Sequence, residues 1–250
     1  PMFGAWILTF FLCQAIFLTL AMIGVICWLC IHFFFIESLP IERRLKLSTY
    51  QVTTLYAAIL KDDSFRLPMF AGCLTGAALF CYISSASAVF MGQYGLSQQQ
   101  FSYAFAFNAA GIMLMSSINK HLNTRMGIFQ RLRLGGSIQC FGAVVVISAG
   151  LMANSPLWFF VSVLFLVVSG IGLTGPNAMA LAMSKQGARA GTASAIMGSM
   201  QFACGLLGGV ILNFLIWKAS LNMGLMMLMF TSAGLVAIFK VGRQQNSISM

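Results

Sequence analysis

The chain has 250 residues, of which 60% are hydrophobic and only 7% charged. Soluble domains carry about a quarter charged residues, so this composition excludes an ordinary soluble core and makes lipid the solvent for most of the chain. The formal net charge of +10 comes without a solvated basic domain, which argues against nucleic acid as a partner. Lys and Arg gather instead in short loops, as they do on the cytoplasmic side of membrane proteins.

Apolar runs of about 20 residues cross a bilayer as helices. Only helices and closed barrels satisfy the backbone there, and these runs lack the alternation of a barrel strand. The prediction is an all-α integral membrane protein with spans at 14–36, 68–91, 100–119, 134–153, 156–183, 191–216 and 220–239. Residues 1–36 read as the end of an N-terminal bundle, whose last span is 14–36. Residues 37–67 read as a cytoplasmic linker, 68–240 as a six-helix C-terminal bundle and 241–250 as a cytoplasmic tail. The start at Pro1 and the odd number of spans point to a missing N-terminal bundle.

Charge orients the spans. Arg43, Arg44, Lys46, Lys61 and Arg66 fall in the linker, and Lys120, Arg125, Arg131 and Arg133 in the next loop on that side. Lys185, Arg189, Lys240 and Arg243 follow on the same side, which leaves Lys218 alone on the other. This asymmetry makes the basic side cytoplasmic, with the N-terminus outside and the C-terminus inside. Within the linker, Ser48-Thr-Tyr-Gln51 has the pattern of a capping box. Val52, Leu55, Tyr56, Ile59 and Leu60 then share one helical face, which predicts an amphipathic helix along the membrane surface. Pro68 and Pro156 each open a span, where a missing N–H is tolerated. They divide the six spans into two groups of three. An odd number of crossings inverts the second group, an arrangement found in transporters.

Catalytic chemistry is absent from the pattern. The acids Glu37, Glu42, Asp62 and Asp63 all belong to one loop, and His32 and His121 lie near helix ends. No H-E-x-x-H, G-x-S-x-G or P-loop occurs, so the chain is not read as an enzyme. The seven cysteines all sit in apolar runs and read as small packing residues, including the Cys27/Cys30 pair.

Uncharged polarity remains. Tyr82, Ser85, Tyr103, Asn108, Asn177 and Gln201 are the candidate lining of a substrate cavity. Each is equally able to bond a neighbouring helix, but together with the aromatics they suit a bulky, mostly apolar ligand. Ser194, Gly198, Gln201, Gly205 and Gly208 form one stripe of small residues along the 191–216 span. In the 156–183 span, Gly172, Gly175 and Pro176 read as a hinge, because Pro176 cannot donate to the Gly172 carbonyl. Arg125 and Arg189 are the candidate gate residues on the cytoplasmic side.

Three stretches carry a family resemblance. Gly172-Leu-Thr-Gly-Pro-Asn-Ala-Met-Ala180, with Gly187-Ala-Arg-Ala-Gly-Thr-Ala-Ser-Ala195 and Gln201-Phe202, resembles spans ten and eleven of the Bcr/CflA-type drug-resistance branch of the major facilitator superfamily. QYGLSQQQFSYAFAFNAAG at 93–111 resembles the junction of spans seven and eight, and FIESLPIERR at 35–44 the entry to the central loop. The chain departs from that family's pattern at Cys13-Gln14, where a Trp-Arg pair is usual, and at Ser87-Ala88, where Ser-Pro is usual; the second departure removes a kink-forming proline. The resemblance implies spans six to twelve of a twelve-span exporter in a bacterial inner membrane. It implies no cofactor, a proton gradient as energy source and drug-like small molecules as substrates. No carboxylate lies within any span, so a proton-carrying acid, which such relays usually use, belongs to the missing bundle. An importer or metabolite exporter of the same fold, or a truncated non-transporting membrane protein, stands as the alternative.

Overall fold

The computed structural model describes residues 7, 14–35, 48–152 and 154–248. Cys13 and the linker residues Glu37, Glu42, Arg43, Arg44 and Lys46 lie outside the described residues. Among the described residues the chain is all-helical, and seven helices are long and apolar enough to cross a membrane. The chain divides into two units, Pro1–Thr54 and Leu55–Met250.

The first unit contains α1 (Gln14–Phe34). It is apolar on every side, as a span must be when no polar face is wanted. The His32 ring in its last turn stacks on Trp28 with 5.6 Å between centroids, which suits an interfacial histidine. Helix α2 (Thr49–Lys61) starts in the first unit and ends in the second. Its capping box forms as the sequence requires. Gln51 Oε1 accepts from the Ser48 N–H at 2.9 Å, and Ser48 Oγ accepts from the Gln51 N–H at 3.4 Å.

The second unit holds six spans. Helix α3 (Asp63–Ser87) runs on as a π-helical segment, Ala88–Gln93. Helices α4 (Gln98–Leu122) and α5 (Ile128–Leu151) complete a first triplet. The second triplet is one span in two pieces, α6 (Leu157–Ser169) and α7 (Ile171–Met183), then α8 (Ala190–Phe214) and α9 (Ala219–Ile248).

Several boundaries move from the predicted ones for local reasons. Helix α3 begins at Asp63, not at Pro68, because Asp62 caps it by accepting from the Ser64 N–H at 2.9 Å. Pro68 therefore lies inside the helix rather than opening it. Helix α5 begins at Ile128, ahead of Arg131 and Arg133, with Gln130 Oε1 reaching back to the Gly127 N–H at 3.0 Å. An apolar-run reading starts a span after its last charge, whereas the helix starts at its cap. Helix α9 continues through the predicted tail to Ile248.

The two triplets pack as equivalents. Helix α3, first of its triplet, packs against α8 and α9 of the second. The α6–α7 span, first of its own, packs against α4 and α5 of the first. The leading spans meet each other through α3 and α7, and the third spans through α5 and α9. Exchanging the triplets leaves this pattern unchanged, as two repeats require, and the three crossings of each triplet make the second inverted relative to the first.

Small residues set the closest approaches. A Cβ at Gly135 would stand 2.7 Å from Leu173 Cβ, and one at Gly170 would stand 2.5 Å from Gln139 Cγ, so α5 and the α6–α7 span touch almost backbone to backbone. Gln139 is fully buried between them. Its Nε2 donates to the Thr75 carbonyl at 3.3 Å, and its Oε1 accepts from Thr174 Oγ1 at 3.2 Å. One amide thus ties α3, α5 and α7 in the buried interior of the bundle.

Candidate functional site: a two-part groove and a buried arginine

A recess of about 270 Å³ opens between α3, α7 and α8 on the half of the bundle nearer the basic loops. Gly76, Thr174, Gly175, Ser194, Gly198 and Gln201 line it. Missing side chains make this space. Nothing lies within 4 Å of where a Gly198 Cβ would be, and only Ile171 Cγ2, at 4.0 Å, lies near that of Gly175. A Cβ at Gly76 would stand 3.5 Å from Gln201 Nε2. The glycine therefore leaves the amide of Gln201 room to present its donor and acceptor.

Farther along the same two helices lies a larger cavity of about 630 Å³, closed at one end by the start of α9. Phe80 and Ser84 of α3, Phe202 and Asn213 of α8 and Asn222 of α9 are among its walls, as is the predicted cavity residue Ser85. Phe80 follows Gly76 by one helical turn, and Phe202 follows Gln201 directly. The two rings meet edge to face at 5.6 Å, so an aromatic pair stands where the recess and the cavity adjoin. Gly205 admits the pair, since a Cβ there would come within 2.6 Å of the Phe80 ring. Among the described residues no charged residue lines either space.

The other predicted cavity residues lie elsewhere. Tyr82 and Asn108 are fully buried and line neither space. Asn108 Nδ2 donates to Tyr82 Oη at 3.2 Å, and the Tyr82 ring stacks on Phe105 at 5.1 Å. The pair joins α3 to α4 inside the bundle, and Asn108 Oδ1 has no partner among the described residues. Tyr103 is half exposed near the start of α4, where its hydroxyl accepts from Gln99 Nε2 at 3.4 Å. Asn177 is buried as well and lines neither space.

Asn177 belongs to a second polar centre, beneath the loop between α4 and α5. Its Nδ2 donates to Asn119 Oδ1 at 2.9 Å and to the Leu173 carbonyl at 2.7 Å. Arg131 Nη1 donates to the same Asn119 Oδ1 at 3.0 Å and to the Asn119 carbonyl at 3.3 Å. Arg131 Nη2 donates to Asn123 Oδ1 at 2.7 Å, while Nε has no partner among the described residues. Arg131 is 6% exposed, and its guanidinium is met by amide oxygens instead of a carboxylate. The ion pair formed among the described residues is Arg66 with Asp63. The predicted gate residues Arg125 and Arg189 are exposed, in the α4–α5 turn and just ahead of α8. Arg131 is the arginine that the fold buries, and its signal was present: Arg131, Gly135, Gln139 and Gly142 recur at helical spacing and are all buried.

The predicted hinge has an asymmetric setting. The span is interrupted at Gly170 and runs helically through Pro176. On one face it is held fast. A Gly172 Cβ would stand 2.6 Å from the Ile112 carbonyl and 2.7 Å from the Ser116 nitrogen, and Asn177 is bonded to Asn119. Beside it, Gly175 borders the recess and Pro176 is exposed.

At the loop edge, Asp62 accepts from Ser64 Oγ at 2.7 Å, from the Ser64 N–H and from Gln186 Nε2 at 3.0 Å. Partial burial pushes its carboxyl upward, but these hydrogen bonds and the charge of Lys185 outweigh that and hold it below the usual carboxylate range.

Known proteins match this chain over most of its length. Residues 1–209 match the sequence profile of the Major Facilitator Superfamily. The chain is 27% identical over 209 residues to a "Bicyclomycin resistance protein homolog" of Haemophilus influenzae, a match covering 84% of this chain and 52% of that protein. It is 30% identical over 250 residues to "Uncharacterized MFS-type transporter YdgK" of Bacillus subtilis, covering 98% of this chain and 61% of that protein. The chain thus spans between about half and three fifths of the length of these relatives.

Proposed function

The chain belongs to the Major Facilitator Superfamily, a family of membrane transporters and not of enzymes, and from that premise we propose that it forms the C-terminal part of a secondary exporter of drug-like small molecules. The observation that carries the reading is the uncharged groove between α3 and α8, with the Gln201 recess at one end and the larger cavity at the other. A path lined by amides, hydroxyls and phenyl rings fits bulky, mostly apolar molecules. Neither space has a cation that would hold an anionic substrate. The resistance named for the Haemophilus relative supports export over import.

In this reading the basic loops face the cytoplasm, and the bundle rocks against an N-terminal bundle in a bacterial inner membrane. Proton coupling supplies the energy, and its acid lies outside the spans described above, which contain no carboxylate in their interiors. Helix α7 is the moving part. Its Gly175 borders the recess, while Gly172 and Asn177 hold it against α4. Arg125 and Arg189 make the loop contacts of the cytoplasmic gate. In cells producing the complete protein, a lipophilic dye should accumulate less than in a deletion strain, and a proton uncoupler should erase the difference. Equal accumulation in the two strains without uncoupler would sink the reading.

A further inference from the structure

Helices α5 and α9 lie antiparallel along a close seam. A Cβ at Gly150 would stand 3.0 Å from Leu221 Cα, one at Gly136 would stand 2.6 Å from Ile238 Cδ1, and one at Gly242 would enter the Phe129 ring. These contacts fix the register, so the start of α5 lies beside the end of α9. Each helix keeps one exposed stripe beside the seam. On α5 it runs through Arg133, Leu134, Ser137, Phe141 and Val144. On α9 it runs through Met229, Ala233, Val236, Phe239, Lys240 and Arg243. The stripes adjoin where the Arg133 guanidinium carbon stands 4.9 Å from the centroid of the Phe239 ring.

Both stripes change character at that level. Away from the basic loops their members are uncharged, and Phe141, Val144 and Val236 are large, apolar and exposed. Toward the loops, Lys240 follows Phe239 at once, and Arg243 lies one turn on, about 6 Å along the axis. An exposed phenyl ring beside three exposed cations is the sequence of groups met at the boundary between acyl chains and headgroups. The face of Phe239 steadies one side of the guanidinium and leaves its planar fork of N–H donors for an oxyanion. Basic clusters between spans at this depth suit anionic headgroups. Helices α4 and α8 are the least buried spans of the bundle, so they offer the broad faces for an N-terminal bundle, and the narrow stripes of α5 and α9 are left to lipid.

We propose that the seam between α5 and α9 binds one anionic phospholipid of the leaflet on the basic side. Arg133 and Lys240 take its phosphate, Arg243 adds charge beyond it, and the acyl chains lie along Phe141, Val144 and Val236. The site is separate from the recess and the larger cavity, and it does not depend on what the protein carries.

The test uses the complete protein in an uncharged detergent, titrated with phosphatidylglycerol or with phosphatidylcholine of the same acyl chains. Native mass spectrometry counts the lipid bound. One phosphatidylglycerol should bind about tenfold more tightly than phosphatidylcholine, and Arg133→Gln should erase that preference. Arg133→Lys, which keeps the charge without the fork, should retain part of it. Lys120→Gln, which removes an exposed cation on α4, should change it by less than about twofold. Melting in phosphatidylcholine should be the same for Arg133→Gln and the wild type; if it is not, Lys240→Gln in the same titration decides. Equal binding of the two lipids by the wild type would overturn the proposal, as would an equal loss in Lys120→Gln. Displacement of the lipid by soluble glycerol phosphate at equal concentration would also overturn it, since the site would then be one for free phosphate esters.

Discussion

Two glycines three residues apart should respond oppositely to the same substitution. A Cβ at Gly172 would stand 2.6 Å from the Ile112 carbonyl oxygen and 2.7 Å from the Ser116 nitrogen. Both are backbone atoms of α4, so no rotamer change relieves the clash and the helices must part. Overpacking of this kind costs about 1–3 kcal/mol. Alanine's helix propensity returns at most about 1 kcal/mol. Gly172→Ala should therefore destabilise by up to about 2 kcal/mol. At Gly175 the nearest atom is 4.0 Å away, an ordinary contact, so Gly175→Ala should be neutral or stabilising by up to about 1 kcal/mol. Cys73, Cys81 and Cys204 are buried, and a fluorogenic maleimide reports their release as the complete protein unfolds on heating. The reasoning is refuted if Gly172→Ala melts with the wild type, or if both variants fall together. Should Gly175→Ala keep its stability and lose transport, the open space beside Gly175 is functional.

Three further outcomes follow from the same geometry. Asn119→Ala strips an acceptor from both Arg131 and Asn177 and leaves a buried guanidinium short of partners, so it should cost about 1–3 kcal/mol, more than Arg131→Met, which removes the charge itself; the reverse order in the melting assay would discount the network. Tyr82→Phe should destabilise by about 0.6 kcal/mol, the scale of an interhelical bond in a membrane, and leave dye affinity unchanged if the dye follows the recess and the larger cavity, which Tyr82 and Asn108 do not line; a shift in affinity with unchanged stability would place them on the substrate path. Asp62→Ala removes the α3 cap and should cost about 1 kcal/mol near neutral pH. Since the folded-state pKa of Asp62 is lowered, that contribution is present above the unfolded value of about 3.9 and is lost as pH falls through the lower folded value. The gap between wild type and Asp62→Ala in urea titrations should hold down to about pH 4 and narrow below it; a gap that closes between pH 7 and 5 contradicts this.

Reading the sequence found the spans, because length and uniform apolarity are one-dimensional properties. It found the α2 cap for the same reason: Ser48 and Gln51 act on their own neighbours. It could not tell which polar residue faces a cavity and which faces a helix. Helix α3 packs against α7, α8 and α9, so its sequence carries no polar face to give direction. Tyr82 and Ser85 are both buried on it, three residues apart, yet Ser85 borders the cavity and Tyr82 bonds α4. The stripe of Ser194, Gly198 and Gln201 was legible because α8 has one sparse face, and that face became a wall of the recess. Asn213 and Asn222 escaped notice because only the α8–α9 turn brings them to the wall of one cavity. The register change at Ala88 also went unread. The Tyr94 N–H donates to the Val89 carbonyl at 3.0 Å, a π-type bond spanning five residues, in a segment without proline.

The central claim is a path along α3 and α8 that is open at one end at a time. It is tested most directly by thiol accessibility in the complete protein, reconstituted in vesicles and carrying Ser194→Cys in the recess or Ser84→Cys in the cavity. Adding the transported dye should raise labelling by an impermeant maleimide at one position while lowering it at the other. Labelling that rises or falls together at the two positions, or that ignores a dye the protein transports, would contradict the account.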